Sequence, residues 1–350
     1  MTQLTHGGDW AGYRAQYGHD ALDFSANVSP LGLPQGVANA IAAALPHADR
    51  YPDPLCRALR AKLAPHEGIP AESILCGNGA ADLIFRLAWA AKPRTALVTA
   101  PTFAEYAAAL ESAGCAVRRH FLQAKVDFAV TDSILSFITP EVDMVFLCQP
   151  NNPTGQLTPL PLVERILRRC EACGALLVVD ECFLDFLPDC DALTAKALLD
   201  SKNLLILKAF TKLYGMAGVR LGYCLCANTA LLEVMQAAGQ PWAVSSLAQA
   251  AGLAALDETA YVAQVRALIA QQRPRLTAGL RALGLRVLDG RANYLLFQGP
   301  ETLGDALRQR GIVLRGCGNY PGLDSSWYRT AVRTAPENQQ LLKTLQEVLA

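Results

Sequence analysis

Short apolar runs alternate with helix-period stretches through the middle of the chain. ESILC (72–76), RTALVTA (94–100), VDMVFLC (142–148), ALLVVD (175–180), NLLILKAF (203–210) and GVRLGYCL (218–225) read as strands. Between them, AADLIFRLAWAA (80–91), FAEYAAALESAG (103–114) and PLVERILRRCEACG (161–174) read as helices. Strands apolar on both faces, alternating with helices, predict an α/β fold with a mostly parallel sheet covered on both sides. In such sheets a ligand sits beyond the strand carboxyl ends, so residues just past each run become candidates. The pattern changes near Gln240-Pro241. Beyond it come a helix-like stretch (246–284), RVLDGRANYLLF (286–297), GIVLRGCGN (311–319), WYRTAVR (327–333) and PENQQLLKTLQEVL (336–349). The expected partition is an N-terminal arm joining the small domain (1–45), a large domain (46–240) and a smaller α+β C-terminal domain (241–350).

Composition narrows the classes. Of 350 residues, 52% are hydrophobic and 18% charged, which excludes intrinsic disorder. Lys plus Arg equals Asp plus Glu at 31 each, so no electrostatic case exists for nucleic acid or an anionic membrane. The longest charge-free run, Val234 to Leu256, is interrupted by Pro241 and several polar residues and does not read as a membrane span. MTQLTHGGDW lacks a basic start and an apolar core, so no signal peptide is expected. Eleven cysteines, an odd number scattered through apolar stretches, suit reduced thiols in the cytoplasm. Only eight of the 31 basic residues are lysines, which leaves few candidates for amine chemistry.

CGNGAAD (76–82) joins a strand to a helix through two glycines, where backbone amides at a helix N-terminus can hold a phosphate. Asp180 and Glu181 end ALLVVD; an acid there serves as a metal ligand, a base, a partner for a protonated ring nitrogen, or simply a cap. The five histidines are dispersed, which argues against a metal cluster. Lys212 follows NLLILKAF and is the candidate amine nucleophile, with Arg220 eight residues on for an anion; Lys208 falls inside the strand pattern. In QPNNPTG (149–155) a tight turn offers Asn152 as a donor into the same crevice. Cys170 and Cys173 form a CxxC without a second pair and read as structural thiols.

The order of these features, with PTFAEY (101–106) between the glycine loop and NNPTG, resembles the fold-type I pyridoxal-phosphate enzymes of the aspartate aminotransferase superfamily over essentially the whole chain. The resemblance implies pyridoxal 5'-phosphate as cofactor and a homodimer. Lys212 corresponds to the cofactor-bearing lysine, Asp180 to the partner of the pyridine nitrogen and Asn152 to the donor for the ring hydroxyl. Phe103 corresponds to the ring-stacking aromatic; Gly79, Ala80, Ala81, Thr211 and Arg220 to the phosphate cradle; and Tyr51 in YPDP to a tyrosine reaching the neighbouring subunit's phosphate. Arg333 in AVRT corresponds to the arginine for the substrate carboxylate. Two departures are Ala209, where relatives often carry Ser or Thr, and Phe183, where many carry Tyr.

Two branches share these motifs, the histidinol-phosphate aminotransferases and the L-threonine-O-3-phosphate decarboxylases of cobalamin synthesis. HGGD (6–9), DFSANVSPLGLP (23–34), QPWAVSSLAQAAGLAAL (240–256) and LRGCGNYPGLDSSWYRTAVR (314–333) are similar to the decarboxylase branch, although Gly316 stands where that branch has Asp. On this resemblance the expected reaction is decarboxylation of L-threonine O-3-phosphate; the alternatives are a histidinol-phosphate-type aminotransferase and a decarboxylase of phosphoserine, which the sequence does not separate from phosphothreonine. Arg315 and Arg333 would hold its carboxylate, and His6, Gly7 and Asn27 its phosphate.

Overall fold

The computed structural model describes residues 6–350; residues 1–5, where the predicted arm and the stretch read for a leader begin, lie outside them. Thirteen strands occur among the described residues: β1 Leu22–Asp23, β2 Ile74–Gly77, β3 Thr95–Ala100, β4 Ala116–Phe121, β5 Met144–Cys148, β6 Leu176–Asp180, β7 Leu204–Ala209, β8 Gly222–Cys226, β9 Arg286–Val287, β10 Tyr294–Gln298, β11 Ile312–Val313, β12 Arg315–Gly316 and β13 Trp327–Ala331. Seven form one sheet in the order β2-β8-β7-β6-β5-β3-β4. The run from β7 to β4 is parallel, and β8 pairs antiparallel with both β7 and β2. This is the mostly parallel, helix-covered α/β sheet that the apolar runs predict.

Alternate residues along each strand feed separate cores on the two faces. Val145, Leu177, Val179 and Ile206 join one buried cluster; Phe146, Val178, Leu205 and Leu207 join the other. Each such side chain contributes about 1.5–3 kcal/mol on burial, so the sheet is fixed from both sides. Helices close where the local chemistry allows. Ala80–Ala91 starts after Gly79, at φ +82°, with the Asp82 carboxylate accepting from Asn78 N–H at 2.8 Å.

The C-terminal sheet, β12-β13-β10-β9, is antiparallel and packs around its own cluster, which includes Phe24, Tyr294, Phe297 and Val332. The early segment belongs to this packing: β1 pairs with β11, and Ala331 N–H donates to Phe24 C=O at 2.8 Å.

Three local expectations change, and one strand joins those read from the sequence. AVRRHF (116–121) is that strand, half exposed because β4 is the sheet's edge. GVRLGYCL extends only from Gly222, since Gly215 and Arg220 take positive φ (61° and 63°) and turn the preceding residues into a loop. The stretch 246–284 is two helices, Ser246–Ala255 and Thr259–Ala282. RVLDGRANYLLF holds two short strands, β9 and β10. All eleven thiols are free, ten buried and Cys173 half-buried. No described helix is long and apolar enough to cross a membrane.

Candidate active site

The carboxyl ends of the central strands converge on Lys212. β7 ends at Ala209 and passes straight into the short helix Phe210–Leu213, which turns the lysine into a cavity. That cavity is lined by Ala80, Ala81, Phe103, Asn152, Asp180, Phe183, Thr211 and Arg220, drawn from five separate stretches of the chain. Burial, reinforced by the Arg329 and Arg220 guanidinium groups, lowers the Lys212 amine below its ordinary value despite Cys182 and Asp180 nearby. The amine stands 5.7 Å from the centre of the Phe183 ring. Ser29 N–H donates to Lys212 C=O at 2.9 Å, so the N-terminal segment is strapped over the lysine's backbone.

Asp180 is buried at the end of β6 and accepts from Tyr106 O–H at 2.5 Å and from Cys182 N–H at 3.0 Å. Tyr106 also stacks on Phe146 (4.8 Å) and meets Phe103 edge-on (5.5 Å), tying the acid to the aromatic wall. The NNPTG turn is held from within: Asn151 bonds Thr102, Pro101 and Thr154, and Tyr294 O–H donates to Asn151 C=O at 2.9 Å. The turn thereby presents Asn152, whose side-chain Oδ1 accepts from Arg329.

Arg329 is buried, and its other terminal nitrogen donates to Ser25 C=O at 2.8 Å. It opens with Lys212, Arg220, Arg315, His6, Gly7 and Asn27 on a larger pocket of about 410 Å³. Asn27 is buried there with neither end of its amide partnered. Arg315 lies against Tyr320 (5.3 Å to the ring centre) and donates to Asn319 Oδ1 at 2.8 Å.

Arg333 is a correction. It does not line this pocket: its guanidinium bonds Glu337 at 2.9 and 2.6 Å and Asp23 C=O at 3.1 Å. β13 ends at Ala331, so Arg333 has already left the sheet for the helix Ala335–Leu349, whose first turn holds Glu337. Arg329, two residues before the strand ends, faces the site instead. Sequence reading also passed over Tyr106 and Glu105. Arg329 shares the WYRTAVR motif with Arg333, while the tyrosine and glutamate carried no spacing signal.

Tyr51 is 79% exposed and stacks on Trp242 at 4.3 Å, away from the cavity of its own chain. No group of three or more His, Cys, Asp or Glu among the described residues could hold a metal. The cavity suits a phosphorylated pyridine. One end offers the Ala80 and Ala81 amides, the Thr211 hydroxyl and Arg220; the other offers a buried acid; an aromatic ring stands between. A Cβ on Gly79 would fall 2.8 Å from Arg220 Nη2, and one on Gly222 would fall 2.6 Å from Ala80 N, so both glycines keep the anion cradle open.

The family described as Aminotransferase class I and II matches residues 19–345. The chain is 41% identical over 332 residues to a threonine-phosphate decarboxylase of Salmonella typhimurium, covering 94% of this chain and 91% of the relative. It is 34% identical over 345 residues to a histidinol-phosphate aminotransferase of Desulfitobacterium hafniense, covering 94% and 92%. Among solved structures, the histidinol-phosphate aminotransferase of Sinorhizobium meliloti in complex with pyridoxal-5'-phosphate superimposes with a TM-score of 0.87 at 25% identity, covering 99% of this chain and 95% of that one.

Proposed function

The chain belongs to the class I and II aminotransferase family, and on that premise we propose that it is a pyridoxal-phosphate-dependent decarboxylase. It converts L-threonine O-3-phosphate to (R)-1-amino-2-propanol O-2-phosphate, a step of cobalamin biosynthesis. The observation that carries the choice of reaction is the stronger likeness to the Salmonella decarboxylase than to the aminotransferase, sustained over 94% of the chain.

Pyridoxal phosphate, when bound, supplies an electron sink for the pair left on the substrate's Cα. The protein supplies attachment, orientation and protons. Lys212, with its amine held below the ordinary value, would attach the cofactor and would supply the proton that replaces the carboxylate on the substrate's Cα. Asp180, fixed by Tyr106 and Cys182, would pair with the cofactor's ring nitrogen. Phe103 would cover one ring face, and Asn152 would donate to the ring hydroxyl, a contact that Phe183, lacking a hydroxyl, could not make. Ala80, Ala81, Thr211 and Arg220 take the cofactor's phosphate. Arg329, with Arg315 beside it in the same pocket, would bind the substrate carboxylate and fix its orientation for loss of carbon dioxide. His6, Gly7 and Asn27 receive the substrate phosphate.

The enzyme works as a homodimer, a reading supported by Tyr51 and Trp242, an aromatic pair left 79% and 43% exposed. Free thiols support the cytoplasm. Carbon dioxide release from phosphothreonine, run beside keto-acid-dependent transamination of histidinol phosphate, is the test. Release from the first without turnover of the second is expected, and the reverse would establish an aminotransferase.

A further inference from the structure

Glu105 lies in the first turn of the helix Ala104–Ser112, beside Phe103. Its carboxylate meets His6 Nε2 at 2.6 Å across 99 residues of sequence. Both side chains line the pocket that contains Lys212 and Arg329. A carboxylate in a pocket meant for a phosphate opposes the ligand unless a cation stands between them. The guanidinium groups of that pocket are engaged elsewhere: Arg329 on Asn152 and Ser25, Arg220 on Ala217 C=O, Arg315 on Asn319. His6 is the group on which Glu105 rests.

The arm that carries His6 is fastened at its base. A Cβ on Gly7 would fall 2.4 Å from Ser25 C=O oxygen, so only glycine lies this close, and Gly8 N–H donates to Ser25 Oγ at 2.8 Å. Ser25 adjoins Phe24, which packs in the C-terminal cluster, whereas Glu105 stands on a helix packed against the large sheet. His6 therefore spans the pocket mouth between two separately packed regions. With Nε2 held by Glu105, the ring nitrogen left for a ligand is Nδ1. In the imidazolium form both nitrogens donate, so the ring bridges one anion on each side. Asn27, buried and unpartnered in the same pocket, supplies a further donor.

We propose that Glu105 is a positioning residue for a phosphate subsite: by holding His6 Nε2 it pins the N-terminal arm across the pocket and aims Nδ1, together with Asn27, at the phosphoryl oxygens of the substrate. The inference rests on the reading of a phosphorylated amino acid as substrate. On this assignment Glu105 acts through His6 rather than on the substrate or cofactor directly.

The test is a double-mutant cycle on the pyridoxal-phosphate-loaded enzyme, Glu105→Ala with His6→Ala, measuring KM and kcat for L-threonine O-3-phosphate. Each single change is expected to raise KM about tenfold, the worth of one charge-assisted hydrogen bond, with much smaller effect on kcat. The double variant should go no higher than either single one. Glu105→Gln keeps an acceptor and should recover part of the affinity; it also carries the cycle if the alanine variant does not fold. Amide exchange at residues 6–8 should speed up in Glu105→Ala. An additive double variant, an unchanged KM in Glu105→Ala, or a fall in kcat at constant KM would each overturn the assignment. If the wild type releases no carbon dioxide from phosphothreonine but turns over histidinol phosphate, the reaction reading fails. The same cycle run with histidinol phosphate then decides Glu105 separately.

Discussion

Lys208 and Lys212 stand four residues apart on one strand-to-helix segment, and both amines are withdrawn from water. Lys208 points to the face of β7 away from the cofactor cavity, where Asp185 lies at 2.8 Å and Glu67 at 3.7 Å. Burial alone would lower its amine, but Asp185, Glu67 and Glu181 outweigh burial and hold it well above the ordinary value. The same network takes Glu67 the other way: burial raises it, yet Lys208, Lys196 and Tyr223 bring it down to about 2. Lys212 meets an aromatic ring and two guanidinium groups, and its amine is lowered. Desolvation has the same sign at both sites, so the neighbouring charges decide the outcome. One lysine becomes a permanent cation of the fold; the other becomes an available nucleophile.

The sharpest way to break this contrast is to exchange the losses. Lys212→Ala should cut decarboxylation by at least about 10³-fold while leaving the thermal midpoint near that of the wild type. Lys208→Met should do the opposite: borohydride should still fix the cofactor on Lys212, while unfolding free energy falls by about 3–5 kcal/mol because Glu67 loses a buried partner. Peptide mapping that found the cofactor on Lys208 would undo the comparison.

A smaller effect separates two arginines of β13 and its continuation. Arg329→Lys should lower kcat/KM by about 10²-fold, since an ammonium cannot replace a planar fork bonded to both Asn152 and Ser25. Arg333→Lys should stay within about threefold, because its partner is Glu337 in a partly exposed i,i+4 pair. Steady-state kinetics on the two variants give the ratio.

The smallest effect reaches Glu181, behind Lys208. Burial raises its carboxyl to about 7 from 4.5, against the pull of Lys208 and hydrogen bonds from Ala195 and Thr194. A folded value above the unfolded one means that its contribution to stability is complete below about pH 4.5 and is lost as pH rises through about 7. Glu181→Gln removes that loss. Urea unfolding at pH 5 and pH 8 should show the variant gaining about 2 kcal/mol on the wild type between the two values. Equal slopes for both proteins would show that the carboxyl titrates normally.

The architecture was legible where burial is two-sided. β5, β6 and β7 are continuous apolar runs because helices cover both faces, and the strand-end residues Asp180, Asn152 and Lys212 do line one cavity. The edge strand β4 was not legible, because one side of AVRRHF meets solvent and its charges interrupt the apolar run that marks the central strands. The arginine register failed for a related reason: every residue of β13 is buried, so alternation carries no information on which guanidinium faces the cavity. Contacts such as His6 with Glu105, or Tyr106 with Asp180 74 residues away, exist only once the chain has folded, and no local pattern announces them.

The eleven free thiols have a practical consequence for watching this protein open and close. Ten are shut inside the packed layers, and burial makes several reluctant to ionise, with Cys170 pushed up to about 12 and Cys317 to about 11. A thiol reagent at neutral pH therefore meets the intact fold chiefly at Cys173, the half-buried one. Every further alkylation is the record of an excursion that bared a sulfur. Because Cys148 and Cys182 line the cofactor cavity while Cys56 and Cys76 sit in the cluster on one face of the central sheet, the order in which sulfurs are consumed distinguishes opening of the cavity from loosening of that layer. The chain carries its own distributed set of opening clocks, readable by mass without adding a single probe.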